Sequence, residues 1–405
     1  MNVCFVSGVF PPHVSGGAEN YVLTVAKRLD AEGHRPSVLT TEPFDGLASL
    51  TPRLTTYEGI DIWRFSPLNV ADKTSYERYS LPRQALWRAI DVANPHSLAM
   101  VERVLDRTAP DVVHVNELEG ISTLAARAAA GSDAAYVHTL HNYNLLSPGS
   151  TVRVDGVPGG ADRSFGNHPL VSSAFARVQR ALMETPDTVI GPSQFIIDAH
   201  RRQGFFEDVP CRRLQHGVER VAESPSAPPT TPTVLYASRL APEKGIETLL
   251  TTATSLPEVR FHVCGSGPLA GRVERRADDA SNLTYHGFVS EADLWSLRRN
   301  ATVGVVPSVW AENSPLTIYE SYAAGLPIVG SAIGGIPELI VPGETGALFE
   351  PGRPGALVGA LGRVFEGGTE SMRANALDWA RAHTLETHVE SLVDVYERAA
   401  RRGDR

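Results

Sequence analysis

The chain has 405 residues, of which 42% are hydrophobic and 20% charged, with a formal net charge of -9. Its length predicts two domains rather than one core, its composition is that of an ordinary globular protein, and its net charge excludes a protein built to grip nucleic acid, which needs a basic face. Cys4, Cys211 and Cys264 are far apart and show no paired spacing. That excludes a disulfide framework and a zinc knuckle, and it fits a reducing, cytoplasmic setting. The Met1 to Val6 start has no basic leader, and no apolar run reaches the length of a membrane span. Arg78, Arg83, Arg88, Arg103 and Arg107 give the first half a weakly basic face, more often a solvated helix surface than a membrane-binding one. Peripheral membrane contact therefore has no support beyond these arginines, and the sequence leaves the oligomeric state open.

Val3 to Ser7 is predicted as a short buried strand. Gly8 to Gly17, with Pro11, Pro12, Gly16 and Gly17, is too rich in breakers for regular structure. Tyr21, Val22, Val25, Ala26 and Leu29 then recur at helical spacing. Strand, glycine loop and helix open a doubly wound α/β domain, and Gly16-Gly17 just ahead of the helix would let backbone approach an anion. Further strands are predicted over Ser37 to Thr40, Asp111 to Val115, Ala134 to Leu140 and Thr188 to Gly191, with helices over Ala174 to Glu184 and from about Ser193. His114, His138 and His141 fall near the C-terminal ends of two of these strands, where open α/β sheets bind ligands; a buried, hydrogen-bonded core residue is the alternative for His138. Asn142 and Tyr143 follow, and then the glycine-rich Ser147 to His168, which is long enough to read as an acceptor-side lid.

Ser224 to Pro232 holds four prolines and marks a semi-rigid linker. Beyond it, strands are predicted over Val234 to Ala237, Arg260 to Val263, Leu283 to His286, Ala301 to Val306 and Pro327 to Gly330, alternating again with helices. The expected fold class is α/β, with two Rossmann-like, doubly wound domains facing across a cleft. The expected boundaries are 1–220 on the acceptor side, 221–384 for donor binding, and a final helix over 385–405 packing back on the first domain.

The stretch Val309 to Glu320 carries the most chemistry. Glu312 precedes a helix for which Ser314 is the expected N-cap and Pro315 the first helical residue, with Gly325 and Pro327 closing it. The N–H groups of Leu316 and Thr317 would then face outward as an anion site, with Glu320 more than a turn inside. Arg239 and Lys244 share another strand-to-helix loop, where a planar fork and a flexible point charge could hold two phosphates. Either alone reads as a solvated cation. Three anion-friendly elements at matching ends of their strands point to a site.

These segments together resemble a retaining glycosyltransferase of the GT-B fold, family 4-like. The resemblance covers nearly the whole chain and is carried by Ser15-Gly16-Gly17-Ala18-Glu19, Pro110-Asp111-Val112-Val113-His114, Thr139-Leu140-His141-Asn142-Tyr143, Ser238-Arg239-Leu240 with Lys244-Gly245, Gly265-Ser266-Gly267-Pro268, and Glu312 with Glu320. It implies that Arg239 and Lys244 neutralise the donor diphosphate, that Glu320 binds the ribose, and that Glu312 contacts hydroxyls of the donor sugar. Backbone from Asn313 through Ser314, Pro315 and Leu316 to Thr317 would line sugar and phosphate, with Gly265 on the donor side. Val289 matches a base-contacting position and His141 a residue near the reacting carbon. Two departures stand out. Pro315 occupies a position where glycine is common, which removes one N–H donor, and Asn142 stands where aspartate is common.

The implied reaction moves a sugar from a nucleotide diphosphate sugar, UDP-sugar by default, to an acceptor hydroxyl with retained configuration. The sequence holds no Asp-x-Asp pair, so the expectation is a reaction without metal or other cofactor. A retaining glycosidase needs carboxylates about 5 Å apart, whereas eight helical positions span on the order of 10 Å. An oxidoreductase would use Gly265-Ser266-Gly267-Pro268-Leu269-Ala270, yet no acid stands about twenty positions on, Asp279 being early and Glu291 late. A non-catalytic nucleotide-sugar binder of the same fold stays open, as do the acceptor, the sugar and the nucleotide.

Overall fold

A computed structural model describes residues 1–13, 17–149, 157 and 168–403. The chain divides into two compact units. One runs to Leu214 and takes back the C-terminal segment from His388; the other comprises Gln215–Thr387. The division falls ahead of the proline-rich segment, because Gln215 and Val218 belong with the second unit. Val218 ladders with Thr384, and Gln215 Oε1 lies 3.0 Å from His383 Nε2. Of the segment 152–163 only Val157 is among the described residues.

The first unit holds eight strands: β1 (Asn2–Ser7), β2 (Arg35–Thr41), β3 (Arg53–Tyr57), β4 (Ile60–Phe65), β5 (Val112–Glu117), β6 (Ala135–Thr139), β7 (Thr188–Gly191) and β8 (Cys211–Arg213). Their order is β3-β4-β2-β1-β5-β6-β7-β8. Every pairing is parallel except β3 with β4. That hairpin, absent from the sequence reading, turns at Glu58 and Gly59, whose φ of 49° and 87° suit a two-residue turn between twisted strands. Strand order reverses between β1 and β5, the position at which such sheets open a crevice at their carboxyl ends. The last helix, Leu385–Gly403, belongs to this unit from His388 onward and buries Val389, Leu392 and Tyr396 completely. Each contributes roughly 2 kcal/mol by leaving water.

The second unit is a six-stranded parallel sheet of β9 (Thr233–Ala237), β10 (Arg260–Cys264), β11 (Leu283–Gly287), β12 (Val303–Val306), β13 (Ile328–Ser331) and β14 (Gly346–Phe349), ordered β11-β10-β9-β12-β13-β14. Because strand side chains alternate, Val234, Tyr236, Val303, Val305 and Val329 pack one face against helices carrying Leu249, Leu357 and Leu361. Val306 and Ile328 face the other way, toward Ile318, Tyr322 and Ala376. Helices on both faces and a reversal between β9 and β12 make this a second doubly wound sheet. No helix among the described residues is long and apolar enough to cross a membrane.

Candidate active site

In the second unit the loops after β9, β10 and β12 gather at the carboxyl edge of the sheet. Gly245, with φ of 70°, lies so close to the loop after β12 that a Cβ on it would come within 1.7 Å of the Pro307 carbonyl oxygen. Gly265 is equally constrained: its φ is 133°, and a Cβ would meet the Ser238 carbonyl oxygen at 2.0 Å. Glycine at these two positions is what lets three loops converge. Arg239 and Lys244 therefore stand beside the segment carrying Glu312, at the point where strand order reverses.

Lys244 Nζ lies 2.6 Å from Glu312 Oε1, which also accepts the Ser308 hydroxyl at 2.7 Å. The Glu312 carbonyl is held by the Gly335 N–H at 2.7 Å, so backbone and side chain are both fixed. Lys244 Nζ also lies 5.2 Å from the centre of the Trp310 ring, whose buried Nε1–H has no partner among the described residues. Arg239 is different: its side chain is 63% exposed and pairs with Glu243 four residues on. It is free to swing toward an anion, whereas Lys244 is already anchored.

The helix after Glu312 runs Leu316–Ala323, with Pro315 as its cap at φ -68° and ψ 115°. This corrects the expected start. Ser314 is not the N-cap, because its hydroxyl pairs with Tyr319 Oη at 2.6 Å, and Pro315 lies outside the helix. The N–H groups of Leu316 and Thr317 donate to no acceptor among the described residues, which leaves the positive helix end open, the feature that suits an anion. Thr317 Oγ1 donates to the Ala237 carbonyl at 3.3 Å, tying this end to β9. Asn313 is half-buried beside it. Glu320 lies within the helix, paired with Arg298. Val289 follows β11, half-buried against Cys264 and Leu326.

The first unit treats its histidines unequally. His141 stands beyond β6, with Nε2 2.8 Å from Asn116 Oδ1 and its ring tilted on Tyr21. Burial pushes its pKa down to about 3 and holds it neutral. Asn142 Nδ2 donates to Glu117, and its Oδ1 accepts the Asn144 N–H at 2.9 Å. Glu117 ends β5; burial, reinforced by Glu119, pushes its pKa up to about 8 although Lys73 pulls the other way.

Three expected acceptor-side residues are core residues instead. His114 is fully buried, with Nδ1 2.7 Å from Tyr396 Oη and Nε2 2.6 Å from Thr139 Oγ1. His138 is buried, 3.0 Å from Tyr136 Oη. Tyr143 is 1% exposed and packs on Phe195 and His200. Each is turned inward by its place in the packed layers, and both ring nitrogens of His114 are taken up by Tyr396 and Thr139. Gly16 lies outside the described residues, as does nearly all of the Ser147 to His168 stretch; Gly17 is the exposed first residue of helix Gly17–Ala31. The sequence reading missed Ser308, Arg298, Asn116 and Glu117. A charge closing the apolar run of β5 was a signal for Glu117; the others carried none.

Two doubly wound units, one presenting cations, a fixed carboxylate and an open helix end, define a GT-B glycosyltransferase. Residues 218–381 match the model for "Glycosyl transferases group 1" and residues 16–215 that for "Glycosyl transferase 4-like domain". The chain belongs to this family and is a glycosyltransferase. It is similar to a D-inositol 3-phosphate glycosyltransferase of Nocardioides sp., 26% identical over 416 residues that cover 95% of this chain and 86% of the relative. Similarity also extends to a 42.6 kDa protein of the cps region of Klebsiella pneumoniae, at 23% identity over 84% of this chain and 87% of that one. Among solved structures, sucrose-phosphate synthase from Thermosynechococcus elongatus superposes with a TM-score of 0.74 at 20% identity, covering 98% of both chains. Anabaena HepE in complex with UDP gives 0.68 at 18% identity, covering 98% of this chain and all of that one.

Proposed function

We propose that this glycosyltransferase transfers a sugar from a nucleoside diphosphate sugar to an acceptor hydroxyl with retained anomeric configuration, without a metal ion. The observation that carries the reading is the Lys244–Glu312 contact of 2.6 Å beside an open helix end at the reversal of strand order. Arg239, Lys244 and the N–H groups of Leu316 and Thr317 would neutralise the diphosphate as the glycosidic C–O bond breaks, a task of positioning and charge stabilisation. The acceptor oxygen forms the new bond to the same carbon, and its proton passes to the leaving phosphate oxygen on that face. Glu312 holds sugar hydroxyls and Glu320 the ribose, and neither transfers a proton. His141, kept neutral, serves the sugar near the reacting carbon through hydrogen bonds, and Asn142 helps fix the loop that carries it. Val289 and Gly265 border the nucleotide.

Anabaena HepE has been solved with UDP and with UDP-glucose, which makes a UDP-sugar the first donor to test. A panel of UDP-, GDP- and ADP-sugars scored by thermal shift selects the donor, since a ligand that binds the folded state raises its stability. Transfer to methanol as a surrogate acceptor, in EDTA, then gives a methyl glycoside whose anomer is fixed and readable by proton NMR. Retention at full rate is the expected result. Inversion would overturn the stereochemical reading, and loss of rate rescued by a divalent ion would overturn metal independence.

A further inference from the structure

Arg298 lies in the last turn of helix Glu291–Asn300, and its side chain is only 1% exposed. A guanidinium cannot shed its charge, so its burial is costly unless carboxylates compensate. Its two partners differ. Nη1 reaches Glu291 Oε1 at 3.3 Å, but that carboxylate is 71% exposed and holds little. Nη2 donates to Oε2 of Glu320, on helix Leu316–Ala323, and Glu320 is 43% exposed. The pair is one-sided, with the cation beneath the surface and the carboxylate at it.

Arg298 Nε has no partner among the described residues, so the guanidinium depends chiefly on Glu320. The dependence runs both ways. A glutamate half open to solvent samples many rotamers unless one oxygen is held, and binding through it must otherwise cover that loss of freedom. Glu320 Oε1 accepts no hydrogen bond from the described residues.

We propose that Arg298 is a positioning residue for the nucleotide: by pinning Oε2 of Glu320 it aims the rest of the carboxylate at the ribose diol and sets the preference for ribo- over deoxynucleotides. The proposal rests on Glu320 being the ribose residue.

The test is calorimetric affinity for whichever of UDP, GDP and ADP binds tightest, and for its 2′-deoxy and 3′-deoxy forms, with wild type, Arg298→Met, Glu291→Ala and Glu320→Gln. Loss of a hydroxyl bonded to a carboxylate should weaken wild-type binding about tenfold or more for at least one deoxy form. In Arg298→Met that ratio should fall to about threefold or less, while affinity for the deoxy form itself changes little. Glu291→Ala should keep the wild-type ratio. A full deoxy penalty retained in Arg298→Met overturns the proposal. An absent penalty in wild type overturns the ribose reading of Glu320 instead, and the proposal with it. Should Arg298→Met fail to melt cooperatively, Arg298→Lys, which keeps charge without the planar fork, decides by the same ratio, an unchanged value overturning the proposal.

Discussion

At the carboxyl edge of the second sheet the charged residues stand beyond the strand ends, whereas in the first sheet His114 and His138 lie inside β5 and β6. Arg239 comes two residues after β9 closes at Ala237, and Glu312 comes six after β12 closes at Val306. His114 has Val115, Asn116 and Glu117 still to follow within its strand, and it is sealed by Thr139 and Tyr396. Both sheets reverse their strand order next to their first strand, and in the first sheet Asn116 and Glu117, the last two residues of β5, reach His141 and Asn142. His141, two residues past β6, lies partly open. Nearness to the end of the strand, rather than residue type, separates the candidate site from the core.

The largest effect that would break this contrast is on turnover. Glu312→Ala should cut the transfer rate about a hundredfold or more while calorimetry still registers the nucleoside diphosphate; unchanged turnover would move the chemistry away from this edge. Next come the cations. Lys244→Ala should weaken nucleoside diphosphate binding about tenfold and Arg239→Ala less, because the latter side chain is exposed and shared with Glu243. Equal affinity in both variants and wild type would remove the diphosphate from this loop.

The smallest effects are on stability and should leave turnover per folded molecule alone. His114→Leu strands the hydroxyls of Tyr396 and Thr139 and should cost about 2–4 kcal/mol in urea unfolding; a loss of turnover in its place would return His114 to the site. The histidines also predict a pH dependence. Burial lowers His114 and His138 from 6.5 to about 3, so the unfolded chain binds protons that the folded one refuses. Their contribution is complete above pH 6.5 and is lost as pH falls toward 3, at about 1.4 kcal/mol per group per pH unit. Asp91 and Glu117, pushed up by burial to about 7 and about 8, act in the opposite sense, their contribution falling as pH rises toward those values. The clean measurement is therefore a difference. Between pH 7 and 5.5, His138→Gln should lose less stability than wild type, and parallel curves would show that His138 titrates normally.

Much of the architecture was legible because parallel strands buried on both faces read as apolar runs. β7 has the bounds that its sequence gave it, and most strands of the second sheet lie within a residue or two of theirs. The β3–β4 hairpin was missed because an exposed, alternating strand leaves a weaker trace: β3 is exposed along nearly its whole length. At the candidate site, Arg239, Lys244 and Glu312 stand out in the sequence as charges in loops, and Glu320 as a charge within a short helix. The Ser314 cap was misjudged for a local reason, since its hydroxyl had a buried competitor in Tyr319.

The sequence by itself determined the alternation of strand, loop and helix, the two doubly wound units and the identity of the charged residues beyond the strand ends, because each depends on neighbours a few positions away. Tertiary structure decided who pairs with whom. Lys244 meets Glu312 across 68 positions because β9 lies beside β12, and Arg298 meets Glu320 because successive helices pack on one sheet. It also decided that His114 and His138 are buried core while His141 lies partly open, since burial is a property of the assembled layers and no single segment carries it.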